Sequence, residues 1–99
     1  MANEKIIIST IKQEGFFQTV YGTTPKTAAQ DLQASYKNAS GQWIPMGSAQ
    51  KYDTRDFQIN LTNPPAKGKF DVKVCPKDAP SSPECSDPYP YDFVDFGNW

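Results

Sequence analysis

Residues 57–74 read FQINLTNPPAKGKFDVKV, and their spacing decides the fold class. Phe57, Ile59 and Leu61 alternate with Gln58 and Asn60, and Phe70, Val72 and Val74 alternate with Asp71 and Lys73. A period of two belongs to a strand with one dry and one wet face, because successive side chains leave a pleated backbone on opposite sides. Between the two runs, TNPPAKGK is too long for a two-residue hairpin and suits a wide turn or a crossing between sheets. Antiparallel structure solvated on one face follows, with the six apolar residues of the two runs in one core.

The pattern extends upstream. LQASYKNASGQWIPM, residues 32–46, alternates Leu32, Ala34 and Tyr36 with polar neighbours, turns at Asn38–Gly41 and resumes at Trp43 and Ile44, which predicts a β-hairpin. The same residues carry a competing pattern. A helix near 25–38 would start with Thr24 as N-cap and Pro25 in the first helical position, align Ala28, Leu32 and Tyr36 on one face, and stop by Gly41, making the chain α+β. Strand candidates at Lys5–Lys12 and Phe16–Tyr21, separated by Glu14-Gly15, and a last one near Tyr91–Phe96 bring the count to about seven. The prediction is therefore an all-β chain, a small antiparallel β-sandwich of the immunoglobulin or fibronectin type III kind. At 99 residues the chain is expected to form one domain, with 75–99 as its final hairpin and strand.

SYKNASGQWIPMGS and the later FQINLTNPPAKGKFDVKVC resemble, over about a third of the chain, the strand pattern of many sandwiches. One of these is the carbohydrate-binding second domain of expansins, in which a Trp-x-Pro-Met segment precedes a Gly-x-Phe strand. The resemblance bears on architecture and not on function, since strand physics alone would choose the same residue types.

Hydrophobic residues are 37% of the chain and thirteen residues are aromatic, too apolar for a disordered segment. The longest apolar cluster, Ile6-Ile7-Ile8, falls far short of the roughly 20 residues of a membrane helix, so no membrane insertion is expected. MANEKIIIST has no continuous apolar stretch and no small-residue cleavage site, so it is not read as a secretory leader. Charge is divided unevenly: residues 1–77 sum to +4 and residues 78–99 to −5. The acidic part also holds Tyr89, Tyr91, Phe93, Val94, Phe96 and Trp99, so it is expected to dock on the body of the domain rather than trail in solvent.

Alternation points Cys75 away from Phe70, Val72 and Val74, to the outer face or the end of the sheet, where a lone thiol would be a liability. Pairing with Cys85 removes it. The loop of eleven residues so closed, stiffened by Pro76, Pro80 and Pro83, would gain about 2–3 kcal/mol on the chain-entropy account. A disulfide implies a secreted, periplasmic or cell-surface mature form; reduced thiols in the cytoplasm are the alternative.

No histidine is present, which removes the commonest general base and the usual partner of a Ser or Cys nucleophile. The nearest carboxylate pairs, Asp53/Asp56 and Asp92/Asp95, would need a substrate cleft between them that a small sandwich rarely has. Asp87, Asp92, Asp95 and Asn98 could offer oxygen to calcium, but their spacing matches no EF-hand and acidic residues on a wet strand face need no ion, so no metal and no other cofactor is expected. Lys67, Lys69 and Lys73 around Phe70 are offset by the acidic tail and a calculated pI of 5.2, which argues against nucleic acid. The expectation is a non-enzymatic binding module, a monomer engaging a protein partner, with a glycan as alternative ligand. Trp43, Tyr52, Tyr89, Tyr91 and Trp99, each beside turn residues or at the chain end, are the expected ligand-binding residues.

Overall fold

The computed structural model of the protein describes residues 5–14, 17–52, 54–65, 68–79 and 81–93. Seven strands run through them: β1 (Ile7–Glu14), β2 (Phe17–Thr23), β3 (Gln30–Lys37), β4 (Trp43–Lys51), β5 (Asp56–Asn60), β6 (Gly68–Pro76) and β7 (Tyr89–Phe93). They build two antiparallel sheets, ordered β1-β2-β5 and β4-β3-β6-β7, with no helix among the described residues. The expected β-sandwich is what forms. In the constant immunoglobulin arrangement the fourth strand belongs with the first, second and fifth; here β4 lies at the edge of the other sheet, beside β3.

The helix considered for 25–38 does not form. Leu32 and Tyr36 fit either period, but only a strand also turns Ala34 inward, and β3 is the strand that gains most from being one. It pairs with β4 on one side and β6 on the other, setting Ala34 against Gly47 and Val74, and Tyr36 against Ile44 and Val72. Two ladders and full burial of Leu32 and Ala34 outweigh the modest helix propensity of this segment. Asn38 then turns the chain with its side-chain oxygen, which accepts from the Ser40 and Gln42 amides.

The core is one cluster drawn from both sheets. Phe57, Ile59, Leu61, Val72 and Val74 are buried as the alternation predicts, joined by Ile6, Ile8, Ile11, Val20, Leu32, Met46 and Phe93. Each such side chain contributes roughly 1.5–3 kcal/mol by leaving water. Phe70 departs from the expectation: it lies on the inner face but is half-buried, because it stands toward the open end of β6, where its ring meets Tyr36 edge-on at 5.3 Å.

The final strand begins at Tyr89, two residues before its predicted start, and residues 94–96 of the prediction lie outside the described part. Its register sets Tyr89 against Val72, Tyr91 against Phe70 and Phe93 against Gly68. All three aromatic residues therefore share the inner face with Val72, while Pro90 and Asp92 face out. Pro90 can sit here because β7 is an edge strand, as can Pro45 on edge strand β4.

Cys75 pairs with Gln33 in register and so points outward, as the alternation requires. It is bonded to Cys85, and the segment carrying Cys85 covers it until only 4% of its surface remains exposed. No helix of the described residues is long and apolar enough to cross a membrane.

Candidate functional site

Strand alternation forces a choice on Ile6-Ile7-Ile8. Ile6 and Ile8 enter the core, so the middle residue must face out, and Ile7 is left 60% exposed. Register extends its row across the first sheet, from Ile7 to Thr23 on β2 and from Thr23 to Asp56 on β5. Gly22 makes this possible, because a β-carbon there would strike the Ile7 carbonyl and the Phe57 ring at 2.6 Å.

Beside this row opens a cleft of about 770 Å³. Lys5 and Ile6 to Ile8 form one side, and Asp87, Pro88 and Tyr89 form another. The end of β2 supplies Thr23, Thr24 and Pro25, and Arg55 and Asp56 close the rim. Its floor and much of its wall are apolar, while two basic and two acidic side chains stand around it. One pair of these is joined, Lys5 Nζ to Asp87 Oδ1 at 2.8 Å, both well exposed.

The walls are fixed from behind. Thr24 is buried; its amide donates to the Arg55 carbonyl at 2.7 Å and its hydroxyl to the Lys26 carbonyl at 2.7 Å, which ties the exit of β2 to the entry of β5. The next turn is held by Lys51, itself buried, whose ammonium donates to the Lys26 and Ala28 carbonyls at 2.7 and 2.6 Å. Burial lowers the pKa of this ammonium, and the Glu84 carboxylate partly opposes that shift. Glu84 also accepts from Gln30 Nε2 at 3.0 Å, and the Ile6 amide donates to the Glu84 carbonyl at 2.8 Å. One residue thus meets both sheets, β1 through its carbonyl and β3 through its side chain. The other amide atom of Gln30, Oε1, is buried with no hydrogen-bond partner among the described residues.

Of the five aromatic residues that sequence points to, the structure brings one, Tyr89, to the cleft. Tyr91 lies further along the inner face, away from the cleft and edge-on to Phe93 at 4.9 Å, and burial, followed by Asp92 and Tyr89, raises its phenol pKa. Trp43 is half-buried on the outer face of the second sheet, with the Lys73 ammonium 4.5 Å from its ring centre, a cation–π contact that covers one side of the ring. Tyr52 follows the far end of β4 and is 60% exposed, its hydroxyl donating to Gln50. Trp99 lies outside the described residues. Trp43 and Tyr52 are separated by a whole strand, so the described residues hold no coplanar row of exposed rings. Asp87 is engaged by Lys5, and no group of three potential metal-ligating residues occurs among the described residues.

Ile7, Pro25, Arg55 and Pro88 were not reached from sequence. For Ile7 the signal was present, since three consecutive isoleucines cannot all face one side of a strand. No protein-family model matches this chain and no curated protein matches it, so the functional reading rests on the cleft itself.

Proposed function

We propose that the protein is a non-catalytic interaction module of an oxidising compartment, secreted, periplasmic or on the cell surface, that binds a protein partner in the cleft between β1 and β7. The observation that carries this reading is the exposed Ile7 set beside Tyr89, Pro25 and Pro88 with charged residues at the rim. Buried apolar contact with a polar surround is what a peptide-sized interface requires. An extended segment suits the site best, because such a chain can place alternate side chains into an apolar cleft and hold the others over the charged rim. The carbohydrate alternative would need stacking platforms, and of the described aromatic candidates only Tyr52 stands mainly in solvent.

A displayed library of short random peptides tests the proposal. Peptides retained by the intact protein should be released by Ile7→Thr and by Tyr89→Ala, and retained by Trp43→Ala. Peptides indifferent to both cleft substitutions would overturn it, as would a library that yields no binder. A soluble polysaccharide that quenches tryptophan fluorescence and competes with nothing in the cleft would favour the glycan reading instead.

A further inference from the structure

The segment that carries Cys85 does more than cover Cys75. Ser86 sits beside β6 beyond the last β6–β7 pair, Val72–Tyr89: its amide donates to the Val74 carbonyl at 2.8 Å, and the Val74 amide donates to its hydroxyl, also at 2.8 Å. The side chain supplies the acceptor that a strand would supply from its backbone. Immediately before it, Cys85 is bonded to Cys75, the neighbour of Val74, and Glu84 accepts from Ile6 and Gln30. Immediately after it, Asp87, Pro88 and Tyr89 form one wall of the cleft. Three consecutive residues therefore couple one covalent bond, one sheet edge and one wall.

From this arrangement we infer that the Cys75–Cys85 disulfide is a redox clamp on the cleft: closed, it holds residues 84–89 in their binding position, and opened by a dithiol reductant it releases them. The inference rests on the reading of the cleft as the binding site. Access favours attack at Cys85, which is half exposed, whereas Cys75 is buried. A thiolate of the reductant bonds to Cys85 Sγ, the sulfur–sulfur bond breaks, and its electron pair leaves on Cys75 Sγ, which takes up a proton. The second thiol of the reductant then displaces Cys85 and forms the reductant's own disulfide. Two electrons and two protons pass to the protein, leaving two thiols. What remains to hold the wall is then the bonds of Glu84 and Ser86 and the exposed Lys5–Asp87 pair, and an exposed pair of this kind holds weakly in water.

Residue-resolved amide hydrogen exchange of the whole protein, oxidised and then reduced, tests the clamp. On reduction the Ile6 and Val74 amides should exchange at least roughly tenfold faster while those of Val20, Leu32 and Ile59 keep their rates, the pattern of a local opening. Affinity for peptides selected by display should fall by a similar factor and return on reoxidation. The double variant Cys75→Ala/Cys85→Ala should match the reduced protein in both measurements and ignore the reductant. Unchanged exchange at Ile6 and Val74 would overturn the clamp. Equal acceleration at all five amides would also overturn it, because the bond would then hold the whole domain. Peptides bound equally by both redox forms would count against the clamp alone, whereas the local opening without any selected peptide would support it and count against the cleft as a protein-binding site.

Discussion

The two sheets meet along two corners, β4 against β5 and the start of β1 against β6 and the segment that leads into β7, and the corners are finished differently. At the β4–β5 corner a bulge in β4 lies at Met46, between the pairs Ala34–Gly47 and Ser35–Pro45. The Met46 carbonyl, turned out of the ladder there, accepts from the Thr62 and Asn63 amides at 2.9 Å each, and Leu61 seals the space beneath at 4% exposure. Gly47 permits this closure: a β-carbon there would lie 2.5 Å from the Asn60 carbonyl oxygen. At the other corner the joining bonds run from Ile6 to Glu84 and from Lys5 to Asp87, and a cleft stays open beside them. Small residues and backbone bonds make a seam; a long connection clipped by a disulfide makes a wall with room behind it. The difference leaves one corner packed shut and the other, though its strand is part of the core, open to solvent beside it.

The hardest blow to this contrast is removal of the open corner altogether. Deleting residues 87–99 removes β7, including fully buried Phe93, and leaves Val72 and Phe70 without their edge neighbours. The product should aggregate or fail to fold, because a bare, partly apolar strand edge would replace a protected one. Gel filtration and thermal melting decide it, and a monomeric truncated domain with an unchanged melting temperature would make the tail dispensable to the fold. A smaller loss is expected at the sealed corner. Leu61→Ala should cost about 2–5 kcal/mol in urea unfolding, the range for emptying a buried leucine site that cannot collapse. A loss below about 1 kcal/mol would mean that the seam is not packed as described.

These corners also explain what could be read from sequence. The strands at Phe57–Leu61 and Phe70–Val74, the outward aim of Cys75 and its bond to Cys85 follow from alternation, a local property. The segment around Leu32 was ambiguous for a physical reason: residues four apart lie on one face of both a helix and a strand, and only the flanking β4 and β6 decide between them. Tyr89 and Tyr91 stand beside prolines, which suggests turns and a ligand-binding surface, yet Tyr-Pro-Tyr-Asp-Phe alternates as cleanly as the central strands, and an edge strand tolerates its proline. The cleft was illegible for a different reason. It is assembled from residues 5–8, 23–25, 55–56 and 87–89, four stretches that only the topology brings together.

A weaker effect should separate Lys51, behind the cleft wall, from Tyr91, on the inner face of the second sheet, by their titrations. Lys51 has a folded pKa below 10.5, so between the two values the unfolded chain holds a proton that the folded protein has released, and stability rises with pH through that window. Tyr91 is the opposite case: its folded pKa lies above 10.0, so above that pH the unfolded chain loses its proton first and stability falls. Melting temperatures followed through the alkaline range should lose the rise in Lys51→Met and lose part of the fall in Tyr91→Phe. Identical pH profiles for the parent and both variants would mean that neither group is desolvated as its surroundings require.

The smallest change in stability is expected at the residue with the largest proposed role in binding. Ile7 faces solvent from the outer row of the first sheet, so Ile7→Thr keeps a β-branched side chain on the strand and removes little buried surface. Unfolding in urea should shift by no more than about 0.5 kcal/mol, as for an exposed substitution away from packed features. Peptides selected on the parent protein should nonetheless bind the variant roughly tenfold more weakly, since an apolar anchor in a small interface contributes on the order of 1–2 kcal/mol. A stability loss above about 1 kcal/mol would show that Ile7 is packed and the corner closed. Unchanged stability with unchanged binding would leave the corner open but move the binding surface elsewhere, and Tyr52, the other large hydrophobic side chain exposed among the described residues, would be the next position to substitute.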